Sequence, residues 1–114
     1  MISRNDIDHE SVVINPGKVM DNSNAHEVTK FITALQKEGC KNVVMDMSQL
    51  EFLSSAGVGS ILGTVGRARE MGGDIILCNL SKKVLHILEV LDLCGYLTIR
   101  ENEEAAKEVC SARE

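Results

Sequence analysis

The run EFLSSAGVGSILG, Glu51 to Gly63, holds the residues best placed for chemistry: adjacent hydroxyls at Ser54 and Ser55, then Gly57, Gly59 and Gly63 within an apolar, helix-like pattern. A serine in that position can be a nucleophile, a helix cap or an acceptor for a transferred group. The nucleophile needs a base, and there is no G-x-S-x-G elbow around either serine. His9, His26 and His86 fall in an N-terminal strand region and two helices, with no sequence sign that any meets Ser55. A cap fits directly, because a serine oxygen accepts an otherwise unpaired N–H of the first helical turn. The glycines call for a further reason, since each costs a helix interior about 1 kcal/mol relative to alanine. At about 100° per residue, Ser55, Gly59, Gly63 and Gly66 form one smooth stripe beside the core-facing Val58, Ile61 and Val65. Such a stripe either packs closely on a neighbouring element or lets another protein's backbone approach Ser55.

Other chemistries find less support. GVGSILG is a poor dinucleotide fingerprint: the preceding strand ends near Met47, well before Gly57, and the acid Asp74 begins the next strand rather than ending it. No His-x-x-x-His or clustered acid and histidine pattern offers a metal site, so no metal and no cofactor are expected. Asp46 stands at the end of a buried strand, where α/β proteins often place functional groups, and it equally serves to terminate that strand. Cys40, Cys78, Cys94 and Cys110 are far apart and form no C-x-x-C pair; reduced, mostly buried thiols are expected.

Composition narrows the class. With 114 residues and 44% hydrophobic content, the chain suits one domain, residues 1–114, with its own core. No Trp, one Tyr and two Phe leave no aromatic platform for single-stranded nucleic acid. A net charge of -5 without a basic run excludes a phosphate-backbone binder. MISRNDIDHE is polar from its third residue, and no apolar run reaches the roughly 18 residues of a membrane helix. The expectation is a soluble, cytoplasmic protein without membrane insertion.

The elements that must position the serines follow from periodicity. Residues 2–15 alternate loosely and predict two short strands, closed by the turn Asn15–Pro16–Gly17. Val28, Phe31, Ile32 and Leu35 recur at helical spacing, with cap candidates Asn22 to Asn24 before them and Gly39 after. NVVMDM, Asn42 to Met47, is a buried strand; a loop follows, then a helix with Val58, Ile61, Leu62 and Val65 inward, broken at Met71 to Gly73. DIILCNL is a strand, Ser81 caps a third helix, YLTIR is a last short strand, and residues 102–114 form a C-terminal helix with acids in its first turn. Alternation of this kind predicts an α/β fold, a mixed β-sheet of about four to five strands covered by about four helices.

The run from Asn42 to Leu93, NVVMDMSQLEFLSSAGVGSILGTVGRAREMGGDIILCNLSKKVLHILEVLDL, resembles the STAS domain of bacterial anti-sigma-factor antagonists. Carried over are a buried strand and acid, a turn of the DSSGLG or SSAGLG type, a glycine-bearing helix, a GG break, and another strand and helix. The resemblance implies that Ser55 is a phosphorylation site and that no residue is catalytic. It implies partners too: an anti-sigma factor with serine kinase activity, carrying ATP or ADP, and a serine phosphatase. Ser54, Ala56, Gly57, Gly59, Gly63 and Asp21 are the partner-binding residues it implies. Two departures stand out. Ser54 replaces a common Asp, and in GKVMD the acid expected three residues after the glycine is Met20, with Asp21 following. The alternative implied is a STAS scaffold subunit, of a stress-sensing or lipid-transport complex, that never cycles through phosphorylation.

Overall fold

Valine, isoleucine and leucine in unbroken runs suit strands buried on both faces, because a parallel sheet covered on each side has no solvent-facing residue to alternate with. The structure, a computed structural model describing residues 2–112, places three such runs side by side. They are β2 (Ser11–Asn15), β4 (Asn42–Asp46) and β6 (Asp74–Cys78), following β1 (Ser3–Asp6) and preceding β7 (Thr98–Arg100); the two-residue strands β3 (Val19–Met20) and β5 (Phe52–Leu53) fall between them in sequence. The helices are α1 (Ala25–Lys37), α2 (Ser55–Glu70), α3 (Lys82–Val90) and α4 (Glu103–Ala112). The main sheet has the order β1-β2-β4-β6-β7, with β1 antiparallel to β2 and the other pairs parallel. It is therefore mixed, as the sequence predicts.

Alternate residues of each strand feed two cores. Val12, Ile14, Val43, Met45, Ile75 and Leu77 pack with Val28, Ile32, Ile61, Val65, Val84 and Leu88 of α1, α2 and α3. Val13, Val44, Ile76 and Cys78 face the other way, against Ala106 and Cys110 of α4. Three of the four cysteines, Cys40, Cys78 and Cys110, are buried and Cys94 is exposed, and among the described residues none forms a disulfide. The C-terminal helix agrees with its expected position, although residues 113–114 lie outside the described residues. Among the described residues, no helix is long and apolar enough to cross a membrane.

One pairing differs from the sequence reading. Residues 18–21 carry no expected element and Phe52 and Leu53 fall in an expected loop, yet β3 and β5 pair as a separate parallel two-stranded sheet, Val19 opposite Phe52 and Met20 opposite Leu53. Two residues are too few to show a period. The pairing joins the starts of two helices. Asn24 does not cap α1 with its side chain. Instead its Nδ2 donates to the Val19 carbonyl at 2.6 Å, and its Oδ1 accepts the Asp21 amide at 2.9 Å. Between α1 and α2 the contact is partly polar, with Thr29 and Ser60 hydroxyls 2.6 Å apart and Gln36 Nε2 donating to the Thr64 carbonyl at 3.1 Å.

The α2 glycines divide into two kinds. A Cβ on Gly57 would lie 2.6 Å from the Met20 carbonyl oxygen and 2.8 Å from Leu53 Cδ1, so only glycine lets the helix reach the small sheet. At Gly59, Gly63 and Gly66 a Cβ would meet nothing within 4 Å among the described residues. No described residue packs closely enough to require glycine at these three positions. Gly57→Ala is therefore expected to lower the unfolding free energy by about 1–3 kcal/mol through forced overpacking. Gly63→Ala should raise it by up to about 1 kcal/mol through helix propensity. Urea unfolding of both variants checks this, and effects of the same sign would contradict it.

Candidate functional site

The start of α2 is fixed by backbone contacts before any side chain acts. The Ser54 amide donates to the Met20 carbonyl at 2.9 Å, and the Val58 amide donates to the Ser54 carbonyl at 3.0 Å. Ser54 has the extended backbone of an N-cap, and its Oγ accepts the Gly57 amide at 3.4 Å. The two serines thus separate. Ser54 is half-buried and used by the helix, whereas Ser55, the first residue of α2, is exposed, and its hydroxyl makes no hydrogen bond among the described residues. No acid occupies the first turn, and Arg67 and Arg69 lie in the last. The amide-rich end of the helix is left to attract an anion at Ser55.

Asp21, Asn22, Ser23, Phe52 and Ser54 line an open depression of ≈ 360 Å³ beside this turn. Met20, in the position where an acid was expected, is fully buried. Asp21 is the acid that reaches the site's rim. Its Oδ1 accepts the Ser23 hydroxyl at 2.5 Å and the Ser23 amide at 2.8 Å, and these bonds hold the Asp21 carboxyl below the usual carboxylate range.

Further along α2, Gly59 and Gly63 are exposed and continue the surface from Ser55, with Ala56 half-buried beside it. Gly57 differs from Gly59 and Gly63 in its surroundings. It is buried, and a Cβ there would meet Met20 and Leu53. Two residues not singled out from sequence also belong to the surface: Phe52, 49% exposed, and its strand partner Val19, 37% exposed. A Phe directly before the serine pair, in a chain with only two, was the available signal.

The remaining candidates have structural partners. Asp46 Oδ1 accepts the Ser48 amide at 3.0 Å and Asn79 Nδ2 at 3.1 Å, closing the turn after β4. Asp74 is buried, with Arg69 Nε at 3.1 Å and the Thr98 hydroxyl also donating to it. His9, His26 and His86 are exposed. Among the described residues, no group of three or more His, Cys, Asp or Glu is placed to hold a metal ion.

The chain resembles known proteins in sequence and fold. The STAS domain family matches residues 3–106. BtrV of Bordetella bronchiseptica, a candidate anti-sigma factor antagonist, is 31% identical over 81 residues, 71% of this chain and 67% of its own. The anti-sigma F factor antagonist of Paenibacillus polymyxa is 30% identical over 70 residues, 61% of this chain and 60% of its own. Among solved structures, the anti-sigma factor antagonist SpoIIAA in its unphosphorylated form superposes with a TM-score of 0.81 at 24% identity, over 97% of each chain. The last is a likeness of fold. From the family match over residues 3–106 and the strand-and-helix order that carries the serine turn, the chain belongs to the STAS domain family.

Proposed function

We propose that this STAS domain is an anti-sigma factor antagonist that works as a phosphorylatable partner switch in the cytoplasm, without enzymatic activity of its own. The observation that carries the reading is the exposed Ser55 hydroxyl at the start of α2, left without a hydrogen bond while Ser54 supplies the cap. In the unphosphorylated state the surface of Ser55, Ala56, Gly59 and Gly63, together with Ser54 and Asp21, receives an anti-sigma factor that is also a serine kinase. Phe52 and Val19 add exposed apolar area beside it. The kinase moves the γ-phosphoryl of its bound ATP to Ser55 Oγ, the hydroxyl proton leaves, and ADP remains on the kinase. A serine phosphatase hydrolyses the ester and resets the switch.

Electrostatics gives the switch its direction. A phosphoryl group adds about -1.5 to -2 charges at neutral pH, and the free amides at a helix start can hold that charge. A partner closed over Ser55 would have to desolvate it and face the Asp21 carboxylate as well. The antagonist tolerates phosphate, and the complex does not.

Treatment with the cognate kinase and ATP should add one phosphoryl group, mapped to Ser55, lost in Ser55→Ala and kept in Ser54→Ala. Label that survives Ser55→Ala and disappears in Ser54→Ala would overturn the assignment; an intact partner complex with no phosphoryl transfer would favour the scaffold alternative. In a binding assay with the same partner, Ser55→Ala should bind constitutively and phosphorylated protein about tenfold or more weakly. Ser55→Asp should fall between them, having less charge and fewer acceptor oxygens. Gly63→Gln should also weaken binding while leaving the fold intact, because its side chain would stand in the approach surface. A Gly63→Gln chain with wild-type affinity would remove α2 beyond its first turn from the docking surface.

A further inference from the structure

The two faces of the main sheet are covered very unequally. Among the described residues, the face under α1, α2 and α3 belongs to a core of 21 buried residues, and the opposite face to one of only six: Val13, Val44, Ile76, Cys78, Ala106 and Cys110. The four sheet residues in the smaller core come from β2, β4 and β6, and the cover comes from α4, with partly buried Ile7 of the β1–β2 turn packed beside it. Its two buried residues, Ala106 and Cys110, have small side chains, with Val109 only partly buried beside them. Little apolar area is therefore removed from water by this helix, and burial is what holds a short helix in place.

The first turn of the helix is closed by its own residues and cap. Asn102 Oδ1 accepts the Ala105 amide at 2.9 Å, the Asn102 carbonyl accepts the Ala106 amide at 3.1 Å, and Lys107 pairs with Glu103 at 3.0 Å within the same helix. These bonds survive if α4 moves away as a body about the exposed Glu101–Asn102 turn. Nothing in the front core has to rearrange.

We infer that α4 is a strap that opens as a unit from the back of the sheet, at a cost well below global unfolding, and in doing so uncovers the strip Val13, Val44, Ile76 and Cys78. The strip lies on the face opposite α2, so the strap opens and closes without displacing Ser55. Elements with few buried apolar contacts are where sub-global opening occurs. The cysteines sample three environments that read this out: Cys94 is exposed, Cys78 lies under the strap with Cys110 on the strap's inner face, and Cys40 lies in the front core. Burial pushes the Cys78 thiol up to about 12, so it is protonated and unreactive while the strap is closed.

Residue-resolved alkylation of the native chain with N-ethylmaleimide, followed by peptide mass spectrometry, tests this. Cys94 should react first, then Cys78 and Cys110 at similar rates, then Cys40 at least about tenfold more slowly. Low urea should accelerate Cys40 steeply and Cys78 only weakly, because sensitivity to denaturant scales with the surface exposed in the opening. Hydrogen exchange on unlabelled protein should show the amides of residues 107–111 exchanging together and at least about tenfold faster than the slowest amides of α1. Cys78 reacting at the rate and with the urea slope of Cys40 would overturn the strap, whether Cys110 reacts early by fraying alone or not. Equal protection of α4 and α1 would overturn it as well.

Discussion

The Met20 carbonyl accepts the Ser54 amide and at the same time lies where a side chain on Gly57 would have to go. The hydrogen bond contributes a modest amount, about 1 kcal/mol net for a bond of this kind. The steric constraint is the stronger element, because it fixes how deeply α2 sits against the β3–β5 pair. With α2 seated there, Ser54 takes the extended backbone of a cap and Ser55 becomes the first helical residue, turned to solvent. The same two-residue strand is tied by Asn24 to the start of α1, which brings Asp21 to the rim of the site. One short pairing thus orders both helix starts on which the surface depends.

Much of this was legible in the sequence, and the rest was hidden for identifiable reasons. The strands carrying Val12–Ile14, Val43–Met45 and Ile75–Leu77 announce themselves as continuous apolar runs, and α1 and α3 by apolar residues at helical spacing. Ser54 as cap and Ser55 as exposed neighbour follow from where the helical pattern begins. The β3–β5 pairing was invisible because a two-residue strand has no period. Gly57 looked like its fellow glycines for the same reason: its distinction rests on Met20, 37 positions earlier in sequence but adjacent in space. Asn24 was legible as a polar residue before a helix, but which backbone groups it would satisfy depended on that same pairing.

The chemistry of the site agrees with the rest of the chain. No histidine is buried beside either serine, and the acids that strand ends place suggestively, Asp46 and Asp74, are occupied with turn and core contacts. What the turn does offer is a hydroxyl at a helix start. An anion placed there meets the positive end of the helix dipole. The close-packed core under α1, α2 and α3 also leaves little freedom for a signal to spread from the serine turn.

The central claim is that phosphate at Ser55 acts on the approaching partner and leaves the domain's own packing unchanged. Amide correlation spectra of the phosphorylated and unphosphorylated chains test it most directly. A local switch predicts shifts confined to Leu53 through Val58 and their immediate neighbours, with the amides of β2, β4 and β6 unmoved. Shifts spread across the whole sheet would contradict it.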